Sequence, residues 1–104
     1  MAPGGARDYL PSHPAHPALI VEVADTTLAF DREQKGSLYA RARIADYWIV
    51  NLVDRVLEVY RNPAPAPGAA HGWRYESVAT LRAGDVISPL AARHARISIA
   101  DLLP

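Results

Sequence analysis

The chain predicts a mixed α/β (α+β) domain in which one main helix packs on a largely antiparallel sheet, and three observations carry this. A single stretch long enough for a substantial helix, about residues 28 to 43, lies between two β-branched runs, Leu19-Ile20-Val21-Glu22-Val23 and Tyr47-Trp48-Ile49-Val50. From Ala45 onward the apolar residues fall in short runs, several alternating with polar ones at the period of a strand. Turn formers separate those runs: Asn51 and Asp54, then the Pro/Ala/Gly segment 62–72, then Ala83-Gly84-Asp85. The order strand, helix, strand, strand, strand fits a layer in which the first strand–helix–strand unit pairs in parallel through a right-handed crossover and the later strands add as hairpins.

Taken in order, residues 1–17 hold four prolines and a Gly-Gly pair and show neither helical nor strand periodicity, so they read as a lead-in to a single domain over 18–104. The first strand, from Ala18 to Ala24, carries one acid, Glu22, among apolar neighbours. Asp25-Thr26-Thr27 supplies capping types for the helix, whose inner side draws on Leu28, Leu38, Tyr39 and Ala42. Gly36 costs that helix about 1 kcal/mol relative to alanine and points to a close approach of helix and sheet. Residues 45–50 form the second strand. Residues 55–61 form the third, joined to it by a four-residue hairpin loop, with Val56, Glu58 and Tyr60 facing one way and Leu57 and Val59 the other. A fourth strand runs from Trp73 to Thr80, Val86-Ile87-Ser88 follows the turn, and a short strand with one helical turn at Ile97 to Leu103 closes the core.

Composition removes several function classes. Eleven basic residues balance eleven acidic ones, so no overall field draws in a polyanion, and nucleic acid would have to be held by a local patch. There is no cysteine, which excludes disulfides and thiolate metal sites. No basic segment precedes an apolar core at the N-terminus, and no run approaches the ~18 apolar residues of a membrane helix. A soluble cytoplasmic protein is the expectation. Glycine-rich phosphate loops, nucleophile elbows and zincin patterns are absent. His13, His16, His71 and His94 share no helical spacing with one another and read as solvated loop residues, and Tyr47 and Trp48 read as core rather than as a base-stacking platform.

The candidate site is Glu22 with Asp31 and Lys35. A carboxylate in a buried strand needs a cation, a metal or water beside it, because burying it alone costs several kcal/mol. Asp31 and Lys35, the one lysine of the chain, are four residues apart and share a helix face just beyond that strand. The alternative remains open at this point. Strict alternation sets Leu19, Val21 and Val23 on one face and Ile20, Glu22 and Ala24 on the other, which allows Glu22 to face solvent and Asp31 and Lys35 to be an exposed ion pair.

Leu19-Ile20-Val21-Glu22-Val23-Ala24-Asp25, Asp31-Arg32-Glu33-Gln34-Lys35, Leu38-Tyr39-Ala40-Arg41-Ala42, Asp46-Tyr47-Trp48-Ile49-Val50 and Val56-Leu57-Glu58-Val59-Tyr60-Arg61 together resemble the Uma-type restriction endonuclease family of bacteria, in the PD-(D/E)XK nuclease-like superfamily. The resemblance extends through Gly84-Asp85-Val86-Ile87-Ser88-Pro89-Leu90 to Ile99-Ala100-Asp101-Leu102-Leu103. It implies a restriction endonuclease-like sheet and a metal-dependent endonuclease that hydrolyses DNA phosphodiester bonds. Glu22 would ligate Mg²⁺ or Mn²⁺, Lys35 would stand in for the lysine other members carry two residues after the glutamate, and Asp31 would orient Lys35.

Departures from the family pattern set further expectations. Ala24 replaces the lysine of an E-x-K motif, and Arg43 and Asn51 stand where a glycine and an aspartate are usual. No strand before Leu19 offers the second metal-binding aspartate, and Asp8 in the lead-in is a poor substitute, so the domain reads as lacking the family's N-terminal region. A sheet edge left open in this way invites self-association into a homo-oligomer. The alternative to an impaired nuclease is a non-catalytic remnant that acts as a dimerisation or interaction module.

Overall fold

Apolar alternation and one parallel crossover generate the architecture of the computed structural model, which describes residues 18–103. The lead-in 1–17, with Asp8, His13 and His16, and the last residue lie outside the described residues. Strand β1 (Ile20–Ala24) is followed by a helix, α1, that spans residues 28–41 as Leu28–Phe30, a π-helical turn Asp31–Lys35 and Gly36–Arg41. Strands β2 (Asp46–Asn51), β3 (Val56–Pro65) and β4 (Trp73–Leu81) come next, then β5 (Val86–Ile87), β6 (Ile97–Ser98) and a closing turn, α2 (Ile99–Leu102). The main sheet has the order β1-β2-β3-β4, and β5 and β6 form a second, small sheet.

As expected, β1 runs parallel to β2, with Glu22 opposite Ile49, whereas β2–β3 and β3–β4 are antiparallel. Each face of the sheet has its own core. Trp48, Val50, Leu57 and Val59 pack with Ile87, Ile99 and Leu103 on one side, and Ala24, Tyr47, Ile49, Tyr60 and Tyr75 pack with Ala40 of α1 on the other. Tyr47 and Trp48 are core residues, both essentially inaccessible to solvent. No helix among the described residues is long and apolar enough to cross a membrane.

Three local readings need correction. The segment 62–72 is not all loop, because β3 continues to Pro65, with Pro63 opposite Tyr75 and Pro65 opposite Trp73. Both prolines lie beyond the last β2 partner, Arg61 opposite Asp46, so the missing N–H groups interrupt no second ladder. Asn62 has a φ of 61° and turns the distal ribbon, which brings Trp73 and Tyr75 to the helix side. The helix is not capped by a side chain at Thr27. Instead the Thr27 hydroxyl donates to Asp31 Oδ2 at 3.0 Å. Nor is Gly36 required by close approach, since an added methyl would meet the Asp31 carbonyl oxygen at 3.5 Å and the Tyr47 ring at 3.8 Å, ordinary contact distances.

The helix ends two residues before Arg43, and the position explains the glycine usual there. Arg43 N–H donates to the Ala40 carbonyl and Ile44 N–H to the Tyr39 carbonyl, a Schellman closure that puts Arg43 at a φ of 62°. An arginine is strained in that conformation. Its guanidinium lies 5.5 Å from the centre of the Trp73 ring, a cation–π contact that offsets part of the cost.

Candidate active site

Glu22, Asp31 and Lys35 come together on the helix side of the sheet. Alternation along β1 is strict, so Ile20, Glu22 and Ala24 share the face that α1 covers, while Val21 and Val23, 45% and 63% exposed, turn away from it. The helix, not solvent, therefore stands over Glu22, whose side chain retains 25% of its accessibility. Lys35 Nζ donates to Glu22 Oε1 at 3.2 Å and lies 3.5 Å from Asp31 Oδ1. Asp31 is 2% exposed, and its Oδ1 is the one buried side-chain oxygen among the described residues without a hydrogen-bond partner.

The π-helical turn shapes this arrangement. Its wide ring leaves the Asp31 carbonyl accepting the Gly36 N–H and, at 3.0 Å, the Tyr47 hydroxyl from β2. Helix and sheet are thereby joined at the residue that carries the buried carboxylate, and π-turns recur at functional positions. Tyr39, one turn beyond Lys35, is the site residue that sequence reasoning assigned only to packing. Its hydroxyl donates to Glu22 Oε2 at 2.9 Å, and its ring meets Tyr47 edge-on at 5.0 Å. The signal was present in the spacing, since Asp31, Lys35 and Tyr39 recur every four residues on one helix face.

The electrostatics fix the protonation of the two donors. The hydrogen bond to Glu22 holds the Lys35 ammonium above its ordinary pKa, against the opposing effect of burial and with further help from Asp31. Burial, reinforced by Glu22, raises Tyr39 as well. Both therefore remain protonated at neutral pH, so Lys35 can donate hydrogen bonds and stabilise negative charge but is no general base.

Beside this cluster lies a second polar network that the sequence did not disclose. Glu58, level with Glu22 across Ile49, is 4% exposed. It takes a bidentate pair from the Arg32 guanidinium, one arm at 3.0 Å, with further hydrogen bonds from the Tyr60 hydroxyl at 2.6 Å and Asn51 Nδ2 at 2.9 Å. Asn51 also donates to Asp54 Oδ2 at 3.0 Å and accepts the Asp54 N–H. This explains the amide where an aspartate is usual: a carboxylate here would lose both donated bonds and set a second negative charge against Glu58. Burial pushes the Glu58 carboxyl up, but the bonds from Arg32, Tyr60 and Asn51 outweigh it and hold the group below its ordinary value.

A depressed native pKa contributes stability that is complete above the unfolded-state value and is lost as pH falls through the folded-state value. The advantage of the wild type over Glu58→Gln should accordingly be constant above about pH 4.5, the ordinary glutamate value, and shrink below it. Thermal midpoints of both proteins between pH 7 and 3 measure this. A gap that widens in acid would mean that Glu58 is not held ionised.

A hard divalent ion is bound by oxygens, and Mg²⁺ commonly takes only one or two protein carboxylates and completes its shell with water. The described residues contain no group of three or more His, Asp and Glu side chains suited to a metal. They do contain the smaller set such an ion accepts. Glu22 is partly open to solvent, and the Asp31 oxygen nearest to Lys35 has no hydrogen bond to give up. Carboxylate oxygen is the donor a hard ion prefers, and Glu22 is the member of the pair that solvent, and so a hydrated ion, can reach.

No curated protein sequence matches the chain. The profile of one family, Uma2, described as "Putative restriction endonuclease", matches residues 4–100 and so takes in β1, the whole of α1 and the remaining strands. A match over nearly the full length, together with a mixed sheet carrying one main helix, places the chain in the Uma2 restriction endonuclease-like family.

Proposed function

We propose that the chain is a metal-dependent endonuclease domain that hydrolyses DNA phosphodiester bonds at the Glu22–Asp31–Lys35 cluster. The observation that carries the reading is the convergence of two carboxylates on one lysine, at 3.2 and 3.5 Å, in a chain that belongs to a restriction endonuclease-like family. Glu22 is the residue that would hold Mg²⁺ or Mn²⁺, and Asp31 orients Lys35. When bound, such an ion lowers the pKa of a coordinated water and screens the phosphate charge.

The chain's own groups do the rest. Lys35, protonated at neutral pH, donates to a non-bridging phosphoryl oxygen or to the attacking water and offsets the charge that builds on the pentavalent phosphorus. Tyr39, fixed on Glu22 Oε2 and braced by Tyr47, prevents that carboxylate from rotating away. Thr27 does the same for Asp31 through Oδ2 and leaves Oδ1 directed at Lys35. The account expects Mn²⁺-dependent nicking of plasmid DNA that EDTA stops. Lys35→Met, which keeps the length of the side chain without its charge, should lower the rate about 100-fold or more. Cleavage by the wild type without divalent ions, or unchanged cleavage by Lys35→Met, would count against the reading.

A further inference from the structure

The Lys35 ammonium stands between two carboxylates that are not equally engaged. Glu22 accepts the Tyr39 hydroxyl on Oε2 at 2.9 Å and Lys35 on Oε1 at 3.2 Å. Asp31 accepts the Thr27 hydroxyl on Oδ2 at 3.0 Å. Its Oδ1 is buried, lies 3.5 Å from Lys35 Nζ and accepts no hydrogen bond from the described residues. An orphaned buried oxygen is costly, and its presence in a folded chain calls for a partner that reaches it in another state. We propose that Asp31 Oδ1 is a second seat for the Lys35 ammonium, which crosses to it from Glu22 when a divalent ion occupies Glu22. The inference deepens the nuclease reading and rests on it for the ion. To the orientation of Lys35 by Asp31 it adds a change of partner coupled to ion binding.

The geometry supports the exchange at each end. With Tyr39 on Oε2, the oxygen of Glu22 that an ion would take is Oε1, where Lys35 stands. Two cations on one oxygen repel each other, so the ammonium has to leave. Its path is short. Asp31 and Lys35 are four residues apart on one helix face, and closing the 3.5 Å separation by about 0.7 Å makes a charge-assisted hydrogen bond. Rotation of the lysine stem suffices for this, since the side chain retains 34% of its accessibility and is not packed in place. Asp31, by contrast, is fixed. Thr27 holds Oδ2, the Tyr47 hydroxyl holds the main-chain carbonyl at 3.0 Å, and the residue is 2% exposed, so the carboxylate stays behind while the ion sits at the solvent-facing Glu22. After the exchange both carboxylates are compensated, the orphaned oxygen has its donor, and the ammonium remains in the site.

Lys35 is the one lysine of the chain, so lysine labelled with ¹³C at Cε gives a single signal to follow in the full-length protein. The probe is Mg²⁺, which is diamagnetic, and its binding is measured in parallel by calorimetry. An anchored lysine keeps its two Hε protons inequivalent, whereas a free one averages them. The Lys35 signal should shift in step with Mg²⁺ binding and keep two distinct Hε resonances, because the ammonium passes from one carboxylate to the other. Asp31→Asn should average them in the Mg²⁺-bound protein and weaken Mg²⁺ about fivefold or more, within the range over which contacting residues couple. Lys35→Met should bind Mg²⁺ more tightly than the wild type, and adding Asp31→Asn to it should cost about twofold at most, since Asp31 acts through the lysine.

A Lys35 signal unmoved by bound Mg²⁺, averaging of the Hε protons in the wild type, or the same loss of affinity from Asp31→Asn with and without Lys35 would overturn the exchange and leave the ion site at Glu22 standing. Failure of the wild type to bind Mg²⁺ at all would overturn both. The wild-type signal decides the matter by itself if melting curves show that Asp31→Asn does not fold.

Discussion

Replacing Glu22 by glutamine is expected to reduce divalent-dependent DNA cleavage by more than about 100-fold while leaving the fold intact. Substitutions that only support a metal ligand typically cost 10- to 100-fold in metal affinity or activity, so removal of the ligand's own charge should exceed that range. The amide has the shape of the carboxylate and still accepts the Tyr39 hydroxyl, so β1 and α1 should keep their packing. What disappears is the negative charge opposite Lys35, at 3.2 Å, and with it the partly exposed carboxylate that a hydrated ion can reach. Because Glu22 is partly exposed, the stability cost of the lost ion pair is small, up to about 1 kcal/mol. Initial rates of plasmid nicking measured beside the melting curve separate the two effects. Equal losses of activity and of folded protein would show that Glu22 is structural.

The opposite result is expected at Asp46, where the effect is on stability. Asp46 is fully buried and accepts four hydrogen bonds, from Trp48 Nε1 at 2.7 Å, from Arg61 Nε at 2.8 Å and Nη2 at 3.2 Å, and from the Leu90 N–H at 2.9 Å. Arg61 in turn donates to the Ser88 carbonyl, so this one carboxylate ties β2, β3 and the connection between β5 and β6 together. Asp46→Ala removes the partner of a guanidinium and leaves the indole and amide N–H groups unsatisfied. The expected loss is about 3 to 5 kcal/mol, a large share of the roughly 5 to 15 kcal/mol that holds a domain folded. Asp46→Asn keeps one acceptor oxygen and should cost clearly less. Urea denaturation of the three proteins measures the series, and a loss below about 1 kcal/mol in Asp46→Ala would remove the carboxylate from the stability account.

How much of this was legible in the sequence depended on whether the cause was local. Strand β1, the helix and the β2–β3 hairpin followed from periodicity and turn residues, because each is set by neighbours in the chain. That Asp31 and Lys35 share one helix face close beyond the Glu22 strand was legible from their four-residue spacing and the short strand-to-helix connection. Whether Glu22 faced helix or solvent was not. Alternation fixes which residues share a face and is silent on which face is covered. The Glu58 network escaped notice because Arg32, Asn51 and Tyr60 reach it from different elements, and Arg32 is twenty-six residues away. The role of Asp46 was hidden for the same reason, since it joins Arg61 and Leu90 across strands. At Arg43 an expectation of glycine was sound about backbone shape, and the chain meets that shape with a strained arginine stacked on Trp73.

The central claim is that Glu22 belongs to a divalent-ion site, and thermal melts of the wild type and Glu22→Gln, with and without millimolar Mn²⁺, test it most directly. An ion that binds only the folded protein, present at about 100 times its Kd, stabilises it by about 2.7 kcal/mol. For a domain of this size that is a rise in midpoint on the order of 10 °C. The account predicts such a rise for the wild type and almost none for Glu22→Gln. The same rise in both proteins, or none in either, would contradict it.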